Sequence, residues 1–253
     1  MSDALVTPRP VPVGVVQAPT LRWSPSRLAG AAVLGAWAVL FWWLLLSDRQ
    51  NFYLSTRTQW VVPVGATLLT LAALGRLVTA RTRQRERVRR REAWIMGAVV
   101  APVVLIMALP PATLGQFSAG KRSSFASSGV TTSAADIGSG ELTLVDVAAG
   151  QTTPEGEAAL AARAGETVDF VGFVTRYDDT PADELFLTRY VVTCCVADAT
   201  IAQVRVVNVT PGAFEPNDWI EVTGAIYPIG REVIVNASDV VAVERPSRPY
   251  LTP

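Results

Sequence analysis

The sequence predicts a membrane-anchored protein in two parts: a membrane α-helical anchor of three transmembrane helices, then a small all-β C-terminal domain, an OB-like five-stranded barrel. Three observations carry this. Three long uncharged runs fall within the first 114 of 253 residues, each long enough to cross about 30 Å of hydrocarbon as a helix. After Gly165 the apolar residues alternate with polar ones in short runs bounded by Gly, Pro, Asn and Asp, the pattern of strands and turns. The charge divides in the same way: residues 1–140 hold 15 basic and 5 acidic side chains and residues 141–253 hold 7 and 17, so a neutral chain is made of halves carrying +10 and −10. Half of the residues are apolar and the mean hydropathy is +0.31, shared between bilayer and core.

Residues 1–26, rich in Pro, Val and Thr and without periodicity, read as a disordered cytoplasmic tail. The first span is 28–46, uncharged between Arg27 and Asp48, with Phe41, Trp42 and Trp43 toward its far end, where aromatic rings collect at a membrane interface. Its apolar run exceeds a signal-peptide core, and Trp-Trp-Leu-Leu-Leu stands where a small-residue cleavage site belongs, so it reads as a retained anchor. A short, nearly neutral connector leads to the second span, about 60–80. Between Arg76 and Arg91 follow eight arginines against one acid. Such a loop stays in the cytoplasm, which makes Arg81, Arg83, Arg85, Arg87, Arg89, Arg90 and Arg91 the topology determinants; contact with anionic lipid is their sharper alternative. The third span, 93–114, starts with Trp94 and contains Pro102, Pro110 and Pro111. The resulting orientation is N-terminus cytoplasmic, C-terminal domain extracytoplasmic. No acid, lysine or histidine lies inside a span, whereas ion and proton pathways are marked by such groups; three such spans read as an anchor or accessory subunit.

Residues 115–140, a Ser, Gly, Ala and Thr tract, read as a flexible linker. The β domain is expected over 141–246, with 247–253 as a tail. Leu142, Leu144 and Val147 suggest a short strand and Pro154 to Arg163 a short helix opening at a proline. Five longer strands follow at Thr167–Arg176, Glu184–Asp198, Ile201–Val209, Asp218–Tyr227 and Glu232–Val243. Glycine-bent first and fourth strands, a long second strand and a hairpin into the third fit a five-stranded Greek-key barrel of the OB type, with a generic β-sandwich as the alternative.

Composition also limits chemistry. The chain has no histidine, which removes Ser-His-Asp and Cys-His catalysis and His-based zinc ligation. No nucleophile stands beside a base, so no enzyme is expected, and an acidic β domain is no partner for nucleic acid. The two cysteines are the adjacent Cys194 and Cys195. Thiolates are soft ligands, so Cys194, Cys195 and Asp198 are the candidate metal ligands, with Asp178, Asp179 and Asp183 able to add oxygens. Buried small apolar residues and thiol pairing are the competing readings. On a strand the two cysteines would face opposite sides, which argues against one shared ion.

The order of these features resembles the YcgQ-like permease subunit family. Four stretches carry the resemblance: Leu109 to Leu114 (LPPATL), Val171 to Val174 (VGFV), Arg189 to Ala199 (RYVVTCCVADA) and Trp219 to Gly224 (WIEVTG). It covers residues from about 28 to 250, and the linker and the region before Gly165 are shorter and more Ala-rich than in the family. The resemblance implies a bacterial accessory membrane subunit whose partner is a larger multi-span permease, concerned with metal ions or related inorganic solutes. It assigns no substrate and no ligand residue.

Overall fold

The computed structural model describes residues 22–82, 88–109, 113–122, 134–230 and 232–253. Of the tail expected over residues 1–26, residues 1–21 lie outside the described residues, as do the arginines at 83, 85 and 87 and the middle of the 115–140 stretch; residues 22–26 are ordered, as a short strand and the start of the first helix.

Three helices are long and apolar enough to cross a membrane: α1 (Pro25–Leu46), α2 (Val61–Val78) and α3 (Arg90–Ala108). Pro25 at the first position of α1 suits the helix start, where its missing N–H costs nothing. At the far end Ser47 returns both its N–H and its hydroxyl to the Trp43 carbonyl, and Asp48 turns the chain in the left-handed region at φ 54°. Helices α1 and α2 form an antiparallel hairpin whose contact is built from small residues, among them Ala31, Ala38, Ala66 and Ala73, all buried. Gly65 lies under Phe41, where a Cβ would come within 2.7 Å of the ring; small residues let membrane helices approach closely. Two indole N–H groups are satisfied inside the bundle, Trp42 on Thr70 Oγ1 and Trp37 on the Val99 carbonyl of α3.

The open end of the hairpin is closed by a two-residue ribbon, β1 (Arg22–Trp23) against β2 (Arg81–Thr82). Arg27 donates to the Thr79 carbonyl at the C-terminus of α2, where a cation is favoured by the exposed carbonyls. The third span is shorter than the sequence suggests. Helix α3 ends at Ala108 and Leu109 is extended, as the residue before a proline is driven to be. Leu114 leaves the span altogether and packs on the β domain.

After the spans come α4 (Gln116–Ala119), α5 (Ala134–Gly138), α6 (Leu144–Gly150) and α7 (Pro154–Ala162). The strand expected at Leu142–Val147 is helix α6 instead. Thr143 and Asp146 form a reciprocal cap at its start, and Leu144 and Val147, three apart, share one buried helix face. The proline-opened helix is α7, capped by Thr153. The two described ends of the 115–140 stretch are ordered against the β domain: Ala119 and Ile137 are fully buried there.

Strands β3 (Thr167–Thr175), β4 (Leu185–Val191), β5 (Thr200–Val207), β6 (Trp219–Ile229) and β7 (Glu232–Ala242) close a barrel in the order β3-β4-β5-β7-β6, with β6 returning to β3. All pairs are antiparallel except β5 with β7. That is the expected Greek-key barrel. The core is the inward set of every strand, including Phe170, Leu187, Val204, Ile220 and Val235, and one end is plugged by Ile137, Val147 and Leu160 from α5, α6 and α7. Both bending glycines have a steric reason. A Cβ on Gly172 would lie 2.8 Å from the Thr188 carbonyl oxygen, where β3 changes neighbours, and Gly224 borders the register shift between β6 and β7. Residues expected as a C-terminal tail are paired: Leu251 exchanges backbone hydrogen bonds with Tyr190 and Val192, and Arg189 donates to the Arg248 and Pro249 carbonyls.

Candidate functional site

The second long strand stops early. Strand β4 ends at Val191, and Thr193 to Cys195 bend away into a single 3-10 turn at Val196–Asp198. The cause is Asp198. Its Oδ1 accepts from the Thr193 N–H at 3.0 Å, and its Oδ2 from the N–H groups of Cys194 at 2.8 Å and Cys195 at 3.2 Å. In return the Asp198 N–H donates to the Cys195 carbonyl at 2.9 Å, so the carboxylate and the backbone close the turn together. An acidic side chain bonding nearby backbone offers an alternative to the sheet ladder, and here it overrides a strongly β-prone sequence.

The strand argument against a shared ion therefore fails. With the two cysteines in a turn, Cys194, Cys195 and Asp198 each bring one ligand atom into a group whose members all lie within 4.8 Å of one another. Cys194 is exposed, Cys195 is half-buried, and neither is in a disulfide. Among the described residues no other His, Cys, Asp or Glu joins this cluster; Asp178 and Asp179 line a different groove with Lys121 and Arg176.

The electrostatics of the turn are reciprocal. The hydrogen bond to the Asp198 carboxylate, followed by that to Cys195, pushes the Cys194 thiol up to about 12. Burial favours the neutral form of Asp198, yet the bonds from the Cys194 side chain and from the N–H groups of Cys194, Thr193 and Cys195 prevail and hold its carboxyl below the usual carboxylate range. At neutral pH the turn thus contains a thiol donating to a carboxylate. Chemically it is a dithiol with one oxygen acceptor, suited to a soft or borderline cation that displaces the thiol protons.

Both membrane junctions grip this turn. From the α1–α2 connector, Ser55 N–H donates to the Cys194 carbonyl at 3.1 Å, Thr58 Oγ1 donates to the same oxygen at 2.6 Å, and the Tyr53 carbonyl accepts from Val196 N–H at 2.9 Å. Leu54 bridges Cys195 directly as a strand-like pair. From the segment that leaves α3, Arg122 Nη1 donates to the Ala197 and Ala199 carbonyls at 3.2 and 2.9 Å. Beyond Asp198 an open groove of about 650 Å³ is lined by Phe117, Lys121, Arg122 and Thr200. The rest of that segment is fixed on the barrel by Tyr190 Oη donating to the Gly115 carbonyl, Asn217 Oδ1 accepting from Gln116 N–H, and Gln116 Oε1 accepting from Arg176 N–H.

Of the expected topology determinants, the described Arg81, Arg89, Arg90 and Arg91 lie at the other end of the helices. Arg81 stacks over Trp23 at 4.9 Å, the Arg89 N–H donates to Glu92, and Arg90 and Arg91 open α3. The barrel and the arginine cluster thus occupy opposite ends of the bundle. Sequence reading missed Ser55, Thr58 and Arg122, which make the junction. Nothing local marks the first two, but the Cys-Val-Ala-Asp spacing was a legible cap signal.

Fold and site together define a membrane-anchored protein whose closed five-stranded barrel carries a dithiol turn at its junction with the spans. Residues 157–253 match the DUF1980 C-terminal domain, consistent with the YcgQ-like family that the Thr193–Asp198 stretch resembles. No curated relative matches the chain.

Proposed function

We propose that the chain is the accessory membrane subunit of a two-component permease, holding its barrel on the extracytoplasmic face for a larger multi-span partner. The observation that carries this is the double clamp: the α1–α2 connector and the α3 exit both bond to the Cys194–Ala199 segment, so the barrel is a fixed part of the membrane domain's end. A fixed barrel suits a component that must meet a partner's pathway in one orientation. Two further features support the reading. The spans carry no ionisable group in their apolar interiors, so a conduction path has to be supplied by another chain. Helix α3 has almost its whole surface uncovered, with Trp94, Val104 and Leu105 all more than half exposed, a face open to lipid or to a partner helix.

The test is a photo-crosslinkable residue at Leu105 in the full chain, expressed in its native membrane. A crosslink to one multi-span membrane protein, lost when the probe is moved to the α1–α2 contact at Ala66, is the expected result. Crosslinks to lipid alone would overturn the reading.

A further inference from the structure

We propose that Cys194, Cys195 and Asp198 form an open, three-ligand site for a zinc-class divalent cation. The ligand atoms already lie within 4.8 Å of one another. Tetrahedral zinc with Zn–S bonds of about 2.3 Å needs its sulfurs roughly 3.8 Å apart, so rotation about the cysteine side chains suffices and the backbone can stay where it is. It is held there from both sides by Ser55, Thr58 and Arg122. A preformed backbone lowers the ordering cost of binding.

The donor set selects the ion. Two thiolates with one carboxylate oxygen suit a borderline cation that accepts both atom types; copper(I) prefers sulfur alone, and magnesium and calcium prefer oxygen alone. Asp198 can serve although it already accepts three N–H bonds, because a carboxylate offers about four acceptor positions. Three protein ligands leave the fourth position to water or to an incoming group, unlike the closed four-ligand sites that only stabilise a fold. Cys194 is exposed, so an ion can arrive and leave without unfolding the barrel. On binding, both thiols release their protons, and the hydrogen bond from Cys194 to Asp198 is replaced by bonds from each to the ion. As a hand-over point for a permease's solute the site rests on the accessory-subunit reading; as a cation site it does not.

The experiment uses the purified full chain in detergent, reduced and stripped of metal, with cobalt(II) as spectroscopic probe and zinc as competitor. The expected result is one ion per chain, a thiolate-to-cobalt charge-transfer band in the near ultraviolet, and full displacement by zinc. Cys194→Ser and Cys195→Ser each abolish the band, and Asp198→Asn weakens affinity by about 10- to 100-fold. Circular dichroism of the serine variants shows whether the barrel is intact. An absent band, a band indifferent to both serine variants with an intact barrel, or a Cys194–Cys195 disulfide that persists in reductant would overturn the proposal. Because no partner is present, failure here leaves the photo-crosslinking result standing, and the converse holds.

Discussion

Tyr190 shows how much a single side chain does at the junction. Its ring is 1 % exposed and stacks on Phe173 at 5.6 Å, while its hydroxyl reaches the Gly115 carbonyl of the segment leaving α3. Burial of the ring pushes its pKa from 10.0 to about 12. The unfolded chain therefore releases this proton first: stability is complete below the ordinary tyrosine value and falls as pH climbs from about 10 toward 12. Tyr190→Phe should cost about 1 kcal/mol at neutral pH through the lost hydrogen bond, and should remove that part of the alkaline decline in thermal melts. Asp198 is the second such residue. Asp198→Ala frees three backbone N–H groups at a partly solvated turn, and a loss of about 1–2 kcal/mol is expected, with faster amide exchange at Thr193, Cys194 and Cys195.

Among the elements, the close crossing of β3 over β4 leaves no room for a side chain at Gly172. Gly172→Ala places a methyl group 2.8 Å from the Thr188 carbonyl oxygen, which backbone cannot relieve by a rotamer change. Destabilisation of about 1–3 kcal/mol follows, measurable by chemical denaturation of the full chain. The 3-10 turn depends on its braces in a different way. Arg122→Ala removes the donor shared by the Ala197 and Ala199 carbonyls, so alkylation of Cys194 should accelerate severalfold with little change in the barrel's melting. An unchanged alkylation rate would show that the connector alone holds the turn. The sequence made the barrel strands legible because inward and outward residues alternate at period two in each of them. It misplaced α6 because only Leu142 and Leu144 keep that period; Leu144 and Val147 stand three apart, a helical spacing, and the cap formed by Thr143 and Asp146 decides the local geometry.

For the whole molecule, the barrel and the described arginines Arg81, Arg89, Arg90 and Arg91 stand at opposite ends of the helices, and the positive-inside bias is the ground for the proposed orientation. The barrel faces outward on this reading. In intact cells a membrane-impermeant maleimide should therefore label Cys194, with Arg122→Ala labelled faster still. Labelling that requires permeabilised cells would invert the orientation and remove the outward-facing role. The same arrangement explains why the described ends of the 115–140 stretch are not a plain tether. The composition is that of a linker, but Ala119 and Ile137 each find an apolar surface on the barrel, and such contacts fix those two ends.

By itself the sequence determined the spans, the sign of each half and the five-stranded barrel, because apolar run length, charge and period-two alternation are local properties that survive without knowledge of neighbours. Only the tertiary structure decided that Cys194 and Cys195 share a turn, that Asp198 organises it, and that Ser55, Thr58 and Arg122 hold it against the membrane end of the molecule. Those contacts join residues as far apart as Ser55 and Cys194 or turn on one carboxylate outcompeting a sheet ladder, and neither leaves a periodic trace along the chain.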